Sequence, residues 1–105
     1  MPLMKKRVLF ENCTFLVDDN VYEPAEDTFL FAENLPEGRI SRAIDVGTGC
    51  GILGIVAARN AQQVVAVDVN PFAVRCARHN AHLNHVLHKM SFVRGDLFQP
   101  FACSA

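Results

Sequence analysis

The sequence predicts an α/β protein, with strand, helix, strand, helix and strand wound into a right-handed parallel sheet. Three observations predict it. "RAIDV" at residues 42–46 reads as a buried strand that breaks on glycines at 47, 49 and 51, and a helical stretch then runs to about Asn60. "QQVVAVD" is a second β-branched run, ending on Asp68. "KMSFVRG" is a third, just ahead of Asp96.

The elements follow in order. Residues 7–22, "RVLFENCTFLVDDNVY", hold two apolar runs separated by Glu11-Asn12, the pattern of a short hairpin or of two extended pieces. In "EPAEDTFLFAENLPEG" Pro24 suits a first helical turn, and Glu23, Glu26 and Asp27 place negative charge at the helix's positive end. Phe29, Leu30 and the stretch Ala32–Leu35 give that helix its apolar stripe, and Pro36 and Gly38 stop it. Asn70-Pro71 opens the helix after the second strand, a capping side chain followed by proline at the first helical position, and the helix runs to about Asn84. The chain divides into an N-terminal hairpin and helix, residues 1–38, and a sheet-forming part, residues 39–105.

Composition narrows the function. Ten Lys and Arg against eleven Asp and Glu give a formal charge of −1, so the overall balance carries no direct nucleic-acid signal. Four cysteines show no C-x-x-C pairing, as expected for reduced thiols in a cytoplasmic protein. No apolar run approaches the ~20 residues of a membrane span.

The loop "DVGTGCGILG" is the informative stretch. Read from Gly49, it is G-x-G-x-x-G after a strand, the dinucleotide pattern. Read from Asp45, it is D-x-G-x-G-x-G, a loop used for S-adenosylmethionine. Both need glycine where backbone must crowd a ligand. Charge separates them. A pyrophosphate favours a helix N-terminus and is opposed by Asp45. S-adenosylmethionine carries an ammonium and a sulfonium, and both attract a carboxylate. At ~4 Å and an effective dielectric near 20, one such pair is worth about 4 kcal/mol before desolvation. The plain alternative is that Asp45 only ties up its own loop.

Asp68 stands 23 positions after Asp45 and ends the second strand, where a carboxylate can accept from both hydroxyls of a ribose. That supports a nucleoside cofactor without choosing one. Asp96 falls at the same carboxyl edge of the sheet, where it could accept from an adenine amino group with Leu97 against the ring.

With the loop, these acids and "VYEPAEDTF" together, the chain resembles the N-terminal half of the HemK/PrmC-type class I methyltransferases, which have a Rossmann-like fold and methylate a release-factor glutamine amide. The "YEPAEDT" segment resembles the archaeal and eukaryotic branch. The resemblance implies S-adenosyl-L-methionine as cofactor. Thr28 would touch its methionine end, Asp45 and Gly47, with Gly49 in the same loop, would hold its amino-acid portion, Asp68 its ribose, and Asp96 and Leu97 its adenine. It also implies a peptide-chain release factor as substrate and a small activating subunit as a possible partner. Family members continue to an Asn-Pro-Pro-Tyr motif that aligns the acceptor amide, and no such motif occurs here. The expectation is a truncated fold of three strands, the cofactor-binding half of an enzyme, inactive alone and open to a complementary C-terminal fragment. "RAIDV" would then have an open edge and uncovered apolar faces. The rivals are an NAD-binding oxidoreductase domain and a non-catalytic cofactor-binding fragment.

Two features are not promoted. His79, His82, His85 and His88 recur every three residues, but steps of three rotate around a helix, so no metal site is expected. Cys50 has no partnered base in sequence, so no catalytic nucleophile is assigned.

Overall fold

The computed structural model describes residues 4–35 and 38–95. Strands β1 (Met4–Phe10) and β2 (Cys13–Asp18) form an antiparallel hairpin, with Phe10 paired to Cys13 and Arg7 to Leu16. Helix α1 (Glu26–Glu33) follows, then β3 (Ile40–Val46), α2 (Ile52–Ala58), β4 (Ala61–Asp68), α3 (Pro71–Leu83), a 3-10 turn (Leu87–Lys89) and β5 (Met90–Arg94). The last three strands make a parallel sheet ordered β3-β4-β5. This is the alternating pattern the sequence predicts.

Register explains the layering. Ala43, Val64, Asp45, Ala66 and Phe92 fall on one face of the sheet, beneath α2 and α3. Two right-handed crossovers stepping in the same direction place both helices on that face. Phe15, Ile55, Val64 and Cys76 are fully buried there. Gly51, which caps α2, lies close against α3. It sits at φ +90°, and a Cβ on it would lie 3.0 Å from Ala77 Cβ.

The opposite face carries Ile44, Val46 and Val93, between 40% and 56% exposed. The strand read as buried is therefore buried on one face only. Among the described residues β3 has β4 on one side and nothing on the other, so Ala43 and Asp45 are shielded by α2 while Ile44 and Val46 face outward.

Helix α1 departs from the sequence reading at its start and along its apolar stripe. It begins at Glu26 with Ala25 as its cap, leaving Glu23 and Pro24 outside the first turn. The residue before a proline is pushed toward extended backbone, and Glu23 is drawn to Lys6 Nζ at 3.0 Å. Thr28 Oγ1 accepts from the Ala25 N–H at 3.3 Å. Phe29 stacks on Phe10 with ring centroids 5.8 Å apart, and Ala32 is buried. Leu30, expected on the apolar stripe, is 61% exposed because the helix packs through the Phe29–Ala32 side alone.

The hairpin is joined to α3 by two asparagine side chains. Asn80 Oδ1 accepts from the Leu16 N–H at 2.8 Å, and its Nδ2 donates to the Leu16 carbonyl at 2.9 Å. Asn84 does the same for Thr14, accepting at 2.9 Å and donating at 2.7 Å. Four helical residues rise about 6 Å and two strand residues about 6.7 Å, so the two amides stand in for a missing neighbouring strand along β2.

Candidate functional site

The glycine loop closes the sheet's carboxyl edge. Gly47 N–H and Thr48 N–H both donate to the Val67 carbonyl, at 2.8 and 3.1 Å, fixing the loop to the end of β4. Asp45 is the last side chain of β3 on the helix-covered face. Its Oδ2 accepts from Thr48 Oγ1 at 2.7 Å and from the Gly54 N–H at 3.0 Å. Gly54 is the third residue of α2, so Asp45 already occupies the anion position at that helix N-terminus. A pyrophosphate there would have to displace it. The loop-tying role of Asp45 is thus present, and both of those bonds end on one oxygen.

Burial pushes the Asp45 carboxyl above the usual carboxylate range. The hydrogen bonds from Thr48 and Gly54 oppose that rise, and Asp68 nearby adds to it. The loop holds an acid whose charge lacks a cationic partner among these causes.

Asp68 ends β4. Its Oδ2 accepts from the Gly49 N–H at 3.0 Å and its Oδ1 from the Asn70 N–H at 2.9 Å. The two backbone bonds orient the carboxylate. Asn70 then caps α3, its Oδ1 accepting from the Phe72 N–H at 2.9 Å. Cys50, at the end of the loop, has its carbonyl bound by Asn80 Nδ2 at 2.8 Å.

These groups surround one cavity of about 450 Å³, within the usual range for a small-molecule site. Thr28, Asp45, Gly47, Gly49 and Asp68 all border it, together with Tyr22, Glu23 and Pro24 from the segment before α1. Val46, Leu53 and Val69 supply apolar wall. Asp96 and Leu97 lie outside the described residues. Sequence reasoning missed Thr48, which locks Asp45, and Asn80, which locks Cys50. The only trace of Asn80 in the sequence is a polar residue on the buried stripe of a helix, four before another asparagine.

The family model for ribosomal protein L11 methyltransferase (PrmA) matches residues 30–102. The chain belongs to this family of class I S-adenosylmethionine-dependent methyltransferases. The chain has a relative in Methanocaldococcus jannaschii, provisionally named as a protein N5-glutamine methyltransferase, that is 42% identical over 80 residues. The match covers 75% of this chain and 40% of that protein. An RNA methyltransferase from Salinibacter ruber, solved with S-adenosyl-L-homocysteine, superposes at a TM-score of 0.53 with 35% identity, covering 56% of this chain and 39% of that one. The tRNA m1G37 methyltransferase of M. jannaschii superposes at 0.78 with 24% identity, over 89% of this chain and 29% of that one. That last likeness is one of fold.

S-adenosyl-L-methionine is the cofactor of these methyltransferases, and the loop fits it. A Cβ built on Gly47 meets nothing within 4 Å, and one on Gly49 meets only Val21 Cγ1 at 4.0 Å. Backbone conformation and not packing calls for these glycines, at φ +68° and +56°, and their bare backbone faces open space. Gly54 differs. A Cβ there would lie 2.9 Å from Asp45 Oδ2 and 3.3 Å from Met90 Cε. Gly54→Ala is expected to push the Asp45 carboxylate off its two donors and lower cofactor affinity about tenfold, near 1.4 kcal/mol, by isothermal titration calorimetry. Unchanged affinity would show that Asp45 can shift without consequence.

Among the described residues no cluster of three or more His, Cys, Asp or Glu side chains is arranged to hold a metal ion, and no helix is long and apolar enough to cross a membrane. Helix α3 ends with Asn84 at its C-cap, leaving His85 at φ +63°. The Cys50 thiol is pushed up to about 12, chiefly by burial and then by Cys76, so it stays protonated and unreactive. Cys13, Cys50 and Cys76 are free and buried. Iodoacetamide at neutral pH is expected to leave these three unmodified in the folded chain and to label all of them in denaturant. Labelling of Cys50 without unfolding, read by peptide mass spectrometry, would contradict the burial argument.

Proposed function

We propose that the chain is the cofactor-binding part of a protein glutamine N5-methyltransferase of the HemK/PrmC type, with a peptide-chain release factor as its acceptor. The observation that carries this reading is the placement of "YEPAEDT". Tyr22, Glu23, Pro24 and Thr28 from that segment border the same cavity as the glycine loop. The provisional name of the 42% identical M. jannaschii relative points the same way.

In this reading Asp45 and the Gly47–Gly49 backbone take the charged amino-acid portion of the donor, Thr28 lies toward its methionine end and Asp68 accepts from the ribose hydroxyls. Asp96 and Leu97 take the adenine. The cofactor supplies a methyl group already activated on a sulfonium. What remains for protein groups is to hold the donor, keep water out and align the acceptor nitrogen. Asp45 performs the first task by charge and Asp68 by hydrogen bonding. The aligning Asn-Pro-Pro-Tyr motif is not in these residues, and the chain spans 40% of the M. jannaschii relative's length.

Tritium transfer from labelled S-adenosylmethionine tests the acceptor. The chain is expected to bind the cofactor yet leave a release-factor glutamine peptide unmethylated. Adding the remaining portion of the M. jannaschii relative is expected to start transfer to the peptide glutamine. Transfer to tRNA in place of the peptide would overturn the acceptor class. Transfer to the peptide by the chain alone would overturn the claim that alignment is supplied elsewhere.

A further inference from the structure

The near-neutral charge of the whole chain conceals a segregation. Residues 69–95 contain four Lys and Arg, all four histidines and no acid, while the other residues hold six Lys and Arg against eleven acids. The fold gathers much of this basic set onto one surface. On α3, Phe72, Arg75, Arg78, His79, His82 and Leu83 are exposed. At 100° per residue they fall within an arc of roughly 140°. Its opposite face is spent on the core through Ala73, Cys76, Ala77, Asn80 and Ala81. Arg78 Cζ lies 5.1 Å from the Phe92 ring centroid on β5, which joins that strand to the surface. Exposed Arg94 shares Phe92's side of the strand. Lys89 does not belong, since its Nζ donates to the Ala58 carbonyl.

We propose that the outer face of α3, continued by β5, is a binding surface for single-stranded RNA. Two guanidinium groups sit over aromatic rings. Arg75 Cζ stands 4.8 Å from the Phe72 ring centroid, and Phe72 is itself 38% exposed. Rings and guanidinium planes of this kind stack on unpaired bases while the same cations meet phosphates. Two ion pairs that neutralise cations lie elsewhere, Lys6 with Glu23 and Arg59 with Glu11. Of the acids in the fold, Asp68 is paired in register with Arg94 and turns its oxygens to the Gly49 and Asn70 amides, and Asp18 is buried and acts on Cys76, on the core side of α3. An anionic membrane is a poorer match, because an interfacial helix needs a broad apolar face for the bilayer and here that face is buried inside the protein. Acidic peptides would use the charge but not the stacking groups. Asn70 and Ala73 border the cofactor cavity, so the RNA would run up to its rim.

The test reads binding and not methyl transfer, so it is separate from the acceptor question. Fluorescence anisotropy with a labelled oligouridine of about twelve nucleotides is expected to show weak binding, with a Kd of about 10⁻⁴ to 10⁻⁶ M. With three arginines engaged, raising salt from about 50 to about 200 mM is expected to weaken it about 20-fold. The Arg75→Glu/Arg78→Glu variant is expected to lose at least tenfold in affinity, and Arg39→Glu/Arg42→Glu, an equal change of charge, less than threefold. Phe72→Ala is expected to weaken oligouridine binding but not inorganic polyphosphate binding. Equal losses in the two double variants would overturn the proposal, as would binding to phosphatidylserine vesicles without binding to RNA, or binding to neither.

Discussion

Asn80→Leu is expected to bring the chain close to unfolding. The side chain is 0% exposed, and its amide serves three backbone groups: the Leu16 N–H, the Leu16 carbonyl and the Cys50 carbonyl. Leucine matches its volume and serves none of them. Each buried group left without a partner costs about 1–3 kcal/mol, so a total of about 3–9 kcal/mol is expected against a whole stability of about 5–15 kcal/mol. Thermal denaturation should fall by about 15 °C or more. Asn80→Asp should be no better, since a carboxylate keeps an acceptor for Leu16 but offers no donor to either carbonyl. Asn84→Leu removes a comparable pair from a partly exposed position, where water can replace the lost bonds, and should cost less. If urea midpoints for the two leucine variants moved equally, the special weight given to Asn80 would be wrong.

Asp45→Asn is expected to separate binding from stability. The amide oxygen can accept from Thr48 and Gly54 in place of Oδ2, so the loop keeps its hydrogen bonds. Only the charge is removed. Burial raises the carboxyl's pKa, so the folded chain holds this proton more tightly than the unfolded chain does. The sign follows directly. Asp45 weighs least on the fold at low pH, and its penalty appears as pH rises from the unfolded value of 3.8 through the raised folded one. At neutral pH the neutral variant should melt at the same temperature as the parent or higher. With the role proposed for Asp45, affinity for S-adenosylmethionine should nevertheless fall about 30-fold, near 2 kcal/mol.

In the parent, affinity should rise with pH through that same interval as the carboxylate ionises, then level off above it. Calorimetric titrations across this range, in buffers of different ionisation enthalpy, would read both the affinity and the proton released. A variant that binds as well as the parent would remove the electrostatic reading of the loop. S-adenosylhomocysteine, which lacks the sulfonium charge, sharpens the test. An equal loss for both ligands assigns Asp45 to the ammonium, and a larger loss for the methyl donor assigns it to the sulfonium.

The legible parts of this protein were those written locally. Asp45 through Gly51 is a contiguous loop whose spacing states its geometry. Asn70-Pro71 carries its own capping chemistry, and the Asn70 side chain does cap α3. The β-branched run before Asp68 forms β4. What escaped the sequence depends on partners far away. The Asn80 and Asn84 ladders join residues 64 and 70 positions apart, and no periodicity reports them. The start of α1 moved because Lys6, on the first strand, takes Glu23. The outward faces of Ile44 and Leu30 likewise follow from which neighbours each element has, a matter of assembly and not of local pattern. The Asp45 loop shows the same divide at a single site. Its acid was visible, but the Gly54 amide that holds it was read in the sequence only as the last glycine of a rival pattern.

The contact between residues 45 and 54 makes the two positions interchangeable only as a unit. Any side chain at 54 takes the space of the acid's oxygen, so an enlargement there should be tolerated once residue 45 has shrunk, and the reverse should hold. A double-mutant cycle on Gly54→Ala and Asp45→Ala would then be strongly non-additive. In a library selected for folding alone the two sites would drift together, whereas selection for donor binding would freeze both.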